Sequence, residues 1–222
     1  MAGRRNTYIV MATMLGPLSA PGALAHPHVW ADMQSGIVFT DEGLIKGVDI
    51  EWTFDDGYTQ MALDGLDVDG DGIYSQDELA PLTKENIESL KDYEYFTVIR
   101  ADGEQQKIGE VTDAGQIWSN NRLTLHFQVP LLKPIDPKKT KFVVKIYDPE
   151  FFVAIDYVKD DPVDTVGNMP KGCKLVVKPV PTDAELDQTR LMLSTKSKEW
   201  KPENNEDFGA MFAQAVSIAC KA

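Results

Sequence analysis

The sequence predicts a mainly β protein: an antiparallel β-sandwich-like body with a helix-loop-helix insertion and a C-terminal helix. Three observations lead to this prediction. Apolar and polar residues alternate with period two through most of the chain, and turn residues interrupt the alternation at short intervals. In two segments the apolar spacing instead becomes that of an amphipathic helix.

The first 25 residues have the order of an export signal. Arg4 and Arg5 precede a short apolar run over 8–15, and Ala23-Leu24-Ala25 gives the small-x-small pattern of a cleavage site. The apolar run is too short to span a hydrocarbon layer of roughly 30 Å as a helix. We therefore predict cleavage after Ala25 and a single periplasmic domain, 26–222, that does not span the membrane.

The strand-like runs follow one another with the turn residues that hairpins need. The Asp102-Gly103 step, for example, suits a tight turn that requires positive φ. The predicted strands cover 29–39, 44–54, 96–100, 105–108, 116–118, 122–129, 142–147, 151–158 and 174–177.

Helical spacing appears first over 55–93, where apolar residues lie on both sides of an acidic loop. Pro81 lacks the N–H that a helix interior requires, so we expect the second helix of this insertion to break or kink there. The final segment, 205–220, places apolar residues on one helical face and predicts a C-terminal helix that docks on the sheet. These residues are Phe208, Met211, Phe212, Ala215 and Ile218.

The chain is acidic, with a formal net charge of −13. Without the predicted signal it keeps 20 basic residues against 35 acidic ones. A surface of this sign favours cations and basic partners and repels nucleic acid and anionic lipid.

Cys173 and Cys220 are the only cysteines, and an exported chain meets an oxidising compartment. A pair in that setting predicts a disulfide, and their spacing excludes a CxxC redox centre. The alternative is two unpaired buried thiols.

The segment 67–78, DVDGDGIYSQDE, matches the twelve-residue EF-hand calcium loop, so 55–93 forms an EF-hand-like insertion. Ca²⁺ takes six to eight oxygen ligands, and Gly72 at loop position 6 permits the sharp turn. The alternative is an acidic surface turn. Because the loop occurs once, we expect a structural clamp rather than a sensor. The predicted ligands are Asp67, Asp69, Asp71, the Ile73 carbonyl, Ser75 and Glu78.

The three histidines offer a second metal site. Cleavage after Ala25 makes His26 the N-terminus, so its α-amine and imidazole could chelate one ion, with His28 close by and His126 as a third ligand. These ligands suit Zn²⁺, Ni²⁺, Co²⁺ or Cu²⁺. In the alternative interpretation His126 is a hydrogen-bonded sheet residue and His26 merely follows the cleavage site.

Several motifs in one order resemble a known family. They are HPHVW (26–30), the DxDGDG loop running into Glu78-Leu79-Ala80, YEYFT (93–97), RLTLHF (122–127), YDPEFF (147–152) and Gly172-Cys173. They resemble the bacterial periplasmic domain-of-unknown-function family 1007. The family is described as the periplasmic component of an uncharacterised ABC-type transport system, and its genes often neighbour nickel/cobalt-type permeases. The resemblance implies metal handling beside an inner-membrane metal permease or ABC transporter, and it assigns no catalytic residue.

The sequence contains no nucleophile elbow, Gly-rich phosphate loop or metalloprotease helix, so we do not expect an enzyme. The preferred interpretation is a periplasmic metal-handling protein with a structural Ca²⁺ loop and an N-terminal histidine site. One alternative is a calcium-stabilised scaffold or adhesion module that binds a protein. Another is a copper enzyme with an N-terminal histidine brace, which requires His126 near His26.

Overall fold

A computed structural model describes residues 27–180, 184–196, 200 and 207–221. The predicted signal peptide, the cleavage site after Ala25 and His26 lie outside the described residues.

The first sheet has six strands: β1 (Val29–Phe39), β2 (Ile45–Phe54), β5 (Ala114–Ser119), β6 (Arg122–Ile135), β8 (Val153–Tyr157) and β9 (Val163–Val166). Their order is β5-β6-β2-β1-β8, with β9 also beside β1. Most neighbours are antiparallel, as predicted, but β8 and β9 run parallel to β1.

The second sheet has five strands: β3 (Thr97–Ala101), β4 (Glu104–Gln105), β7 (Phe142–Ile146), β10 (Cys173–Lys178) and β11 (Ala215–Cys220). Their order is β10-β11-β7-β3-β4, and every pair is antiparallel.

The hydrophobic core contains the inward side chains of both sheets, which confirms the sandwich-like body. Trp52 of β2 and Phe127 of β6 are fully buried and meet edge to face, with ring centroids 5.0 Å apart. Phe142 from the second sheet is buried in the same core. The period-two alternation creates this arrangement because successive side chains of a strand point to opposite faces.

Four α-helices lie among the described residues: α1 (Asp56–Leu63), α2 (Gln76–Lys91), α3 (Ala184–Leu193) and α4 (Gly209–Phe212). The first two lie within 55–93 and confirm the helix-loop-helix arrangement of that insertion. None of the described helices is long and apolar enough to cross a membrane.

The predicted break at Pro81 was wrong, because α2 continues through this residue. Pro81 removes one hydrogen bond, but tertiary packing of the apolar face outweighs that loss. Leu79 is buried in the core, while Leu82 and Leu90 pack against its edge.

The predicted helix over 205–220 was also wrong. Only the four residues of α4 are helical, 215–220 form β11, and 205–206 lie outside the described residues. Val216 and Ile218 point into the core, so the segment has strand periodicity as well as helical periodicity. Pairing with β7 on one side and β10 on the other decides in favour of the strand.

The predicted disulfide joins Cys173 to Cys220. The two residues face each other in the register of β10 and β11, so the bond holds the last strand at its correct position. It closes a loop with a sequence separation of 47 residues, which contains α3 and α4.

We predict that replacing both cysteines by serine lowers the free energy of unfolding by roughly 4 kcal/mol, the chain-entropy value for a loop of this length. Urea denaturation of the variant and the oxidised wild type measures the difference. Reduced wild type is the matched control and should resemble the variant. A loss below about 1 kcal/mol would show that strand pairing alone holds β11.

Candidate metal site

The helix α1 brings the chain to the acidic loop. The Asp55 carboxylate caps its start by accepting from the N–H groups of Gly57 (2.8 Å) and Tyr58 (3.1 Å). At its other end Leu63 is buried in the core. Gly65, at φ +77°, then turns the chain towards the loop.

The predicted ligands Asp67, Asp69 and Asp71 converge, each offering a carboxylate oxygen within 4.8 Å of the others. They form the only such group of three acidic, His or Cys side chains among the described residues. Asp67 is half-buried, and the other two are exposed. Gly70 and Gly72 both have positive φ, +74° and +77°, which lets the backbone turn around the carboxylates.

Backbone N–H groups of the loop hold these carboxylates in place. The N–H groups of Gly70 and Gly72 donate to the two oxygens of Asp67, at 2.8 and 3.1 Å. The Asp71 N–H donates to Asp69 (3.1 Å), and the Ile73 N–H donates to Asp71 (2.7 Å). The side-chain orientations are therefore fixed by the loop itself.

Glu78 closes the loop. Its Oε1 accepts from the Val68 N–H (2.8 Å), and its Oε2 accepts from the N–H (2.9 Å) and hydroxyl (2.8 Å) of Ser75. The Ser75 hydroxyl in turn accepts from the Glu78 N–H, so a capping box is present at the start of α2. The hydrogen bonds from Ser75 and Val68 hold the pKa of the Glu78 carboxyl below its usual value.

The loop and α2 are anchored to the edge strand β5. The Gln76 side-chain amide donates to the Gln116 carbonyl (2.8 Å). The single Thr83 hydroxyl proton is shared between the Gln116 side-chain oxygen (3.1 Å) and the Leu79 carbonyl (3.0 Å). The Tyr74 ring meets Trp118 edge to face, with centroids 5.3 Å apart. Asp67, Tyr74 and Trp118 line one depression of about 450 Å³.

These anchoring residues were missed by sequence reasoning. The available signal was Gln116, a polar residue at an inward position of a strand that otherwise buries apolar side chains. It is fully buried, and its Nε2 has no hydrogen-bond partner among the described residues. Among the described residues, the Thr83 hydroxyl is the side-chain group that contacts this buried amide.

His126 lies on the outward face of β6, opposite Glu51 of β2 and Gly115 of β5. A Cβ at position 115 would lie 2.6 Å from the His126 ring, so a glycine there makes room for the imidazole. The ring lines a depression of about 440 Å³ together with Asp49 and Asp113.

His28 is half-buried just before β1. Its backbone N–H donates to the Phe152 carbonyl (2.9 Å), and the centroid of its imidazole ring lies 4.9 Å from that of the Phe152 ring. The strand registers align His126 with Gln34, six residues beyond His28. At about 3.3 Å per residue that separation is on the order of 20 Å. The structure thus does not bring His28 and His126 together, and His26 lies outside the described residues.

Comparison with known proteins identifies the family of this chain. The family model described as "Protein of unknown function (DUF1007)" matches residues 10–220. The chain belongs to this family. The match spans both sheets and the acidic loop, which confirms the resemblance seen in the sequence motifs.

Two relatives carry no description of activity. A protein of Haemophilus influenzae, described as "Uncharacterized protein", is 26% identical over 213 residues, covering 94% of this chain and 97% of the relative. A Spirochaeta aurantia protein, described as "Uncharacterized 15.5 kDa protein in trpE 3'region", is 33% identical over 97 residues, covering 44% of this chain and 69% of the relative.

We predict that Thr83→Val lowers the free energy of unfolding by about 1 to 3 kcal/mol, because it removes the hydroxyl that contacts the buried Gln116 side chain. Thr83→Ser keeps the hydroxyl and is the matched control. Thermal denaturation of both variants measures the effect. Equal stability of the valine and serine variants would show that this hydrogen bond does not anchor α2.

Proposed function

We propose that this protein is a metal-handling protein in which Ca²⁺ binds the 67–78 loop and stabilises the helical insertion. The observation that carries the proposal is the convergence of the Asp67, Asp69 and Asp71 carboxylates within 4.8 Å of one another. Ca²⁺ is a hard cation that prefers carboxylate and carbonyl oxygens, and this loop supplies both. The Ile73 carbonyl, Ser75 and Glu78 complete the proposed ligand set.

Pre-ordering of the ligands supports the proposal. Four N–H groups already orient the three carboxylates, so little side-chain entropy is left to lose when an ion binds. Glu78 would exchange its hydrogen bonds to Val68 and Ser75 for bonds to the ion. Binding would then tighten the loop against the start of α2.

Ca²⁺ at about 100 times its dissociation constant should raise the free energy of unfolding by roughly 2.7 kcal/mol, because only the folded loop binds the ion. Glu78→Gln should lose most of this gain. Urea denaturation of the wild type and the variant, each in calcium and in a calcium chelator, measures the gain in free energy of unfolding. Asp77→Asn, which removes the same charge at the neighbouring position, is the matched control and should keep the gain. Equal stability of the wild type in calcium and chelator would overturn the proposal.

A second part of the proposal concerns the mature N-terminus. The backbone N–H of His28 donates to the Phe152 carbonyl and holds His28 just before β1. The α-amine of His26 and the two imidazoles would bind Zn²⁺, Ni²⁺, Co²⁺ or Cu²⁺ for delivery to a membrane permease. The family resemblance supports the choice of a transporter as the recipient.

The protein is expressed with its native signal for this test, and mass spectrometry establishes its N-terminus. We expect His26→Ala and His28→Ala each to weaken transition-metal binding at least about tenfold in calorimetric titrations, because each removes a ligand. His126→Ala is the matched control, since His126 lies on the order of 20 Å from His28. Equal binding by all three variants and the wild type would overturn this part while leaving the calcium loop untouched.

A further inference from the structure

The outward face of the second sheet carries a concentration of positive charge. On β10 the outward residues are Lys174, Val176 and Lys178, because Leu175 and Val177 pack against the core. On the neighbouring strand β11 the outward residues are small: Ala215, Ser217 and Ala219. Lysines of the turn before β7 line a depression of about 620 Å³ over these small residues.

We call this surface the basic face. Its seven basic residues are Arg100, Lys138, Lys139, Lys141, Lys145, Lys174 and Lys178.

Within the part of the chain that the structure describes, the carboxylates beside the basic face include Asp102, Asp136 and Asp207. Asp207 lines a cavity with Arg100 and Lys145 at the end of the face next to α4. The Asp102 carboxylate accepts from the Lys141 N–H (2.8 Å). Asp136 accepts from the Lys138 N–H (2.9 Å) and lies 3.2 Å from the Lys139 ammonium. Among the described residues no carboxylate lies within ion-pair distance of the ammonium groups of Lys138, Lys141, Lys174 and Lys178.

The opposite surface of the sandwich is acidic. The outward residues of the first sheet include Asp32, Asp49, Glu51, Asp156 and Asp164. Arg122 on the same surface is already paired with Asp32 at 2.7 Å. The two outer faces therefore differ in sign, although the chain as a whole has a net charge of −13.

We infer that the basic face docks the protein on an anionic lipid surface. Lysine ammonium groups are compact, mobile point charges, which suits attraction to many headgroups rather than recognition of one planar anion. They are spread around the small outward side chains of β11, from the turn before β7 to β10. A broad surface of opposite charge complements this arrangement.

The net negative charge does not prevent such docking. At about 0.1 M salt the Debye length is about 10 Å, close to the spacing of two packed sheets. The lysines at the lipid surface then attract the anionic headgroups, whereas the charge of the acidic face behind them is largely screened. At about 0.01 M salt the Debye length rises to about 30 Å, so the acidic face also acts on the lipid and repels it. Binding should therefore peak at intermediate salt, whereas net charge alone predicts no binding.

The test uses the full mature chain with vesicles of phosphatidylglycerol and phosphatidylcholine, and with phosphatidylcholine alone. At about 0.1 M salt the protein should co-sediment with the mixed vesicles only. The triple variant Lys138→Gln, Lys141→Gln, Lys178→Gln should lower the partition coefficient on the order of 100-fold, at about fivefold per lysine.

The matched control removes the same charge from three exposed lysines outside the basic face: Lys46→Gln, Lys84→Gln and Lys159→Gln. This control should bind within about threefold of the wild type. Equal losses in the two triple variants would overturn the inference, as would equal binding to both vesicle types.

Sedimentation without vesicles would instead indicate self-association. Competition by millimolar phosphate at constant ionic strength would indicate a single-anion site. Either result contradicts docking.

Discussion

The attachment of α2 to the edge strand β5 is the contact on which the acidic loop depends. The loop residues 67–78 are mostly exposed and have little core of their own. The loop's own N–H groups orient its carboxylates, but the position of the loop is set from outside, by Leu63 and Leu79 at the two ends and by the hydrogen bonds of Gln116. Because Gln116 is buried in the sheet, the rigidity of the sandwich extends to the first turn of α2 and to the Glu78 carboxylate.

The same alternation that forms the core also separates charge on the two outer faces. Each strand gives its inward residues to one shared core and its outward residues to solvent. The two outer faces are therefore free to differ, and here one is acidic and the other basic. A net charge averages these faces, whereas any partner meets only one of them. This is why composition excluded anionic lipid while the placement of the lysines favours it.

The sequence predicted the features that depend on local pattern. Alternation located most strands, helical spacing located the two helices of the insertion, and the loop spacing predicted that three carboxylates converge. It missed the features set by tertiary pairing. Segment 215–220 has apolar residues compatible with a helix or a strand, and only its neighbours β7 and β10 decide between them. The distance between His28 and His126 likewise follows from strand register, which the chain order does not reveal.

The central claim is that the 67–78 loop is a calcium site next to Tyr74 and Trp118. Terbium luminescence tests it most directly, because Tb³⁺ takes the same hard oxygen ligands as Ca²⁺ and emits when excited through nearby aromatic rings. The account predicts sensitised emission that saturates at one ion per chain, is displaced by Ca²⁺ and disappears in the Asp69→Asn, Asp71→Asn double variant. Absence of sensitised emission in the wild type, or undiminished emission from the double variant, would contradict it.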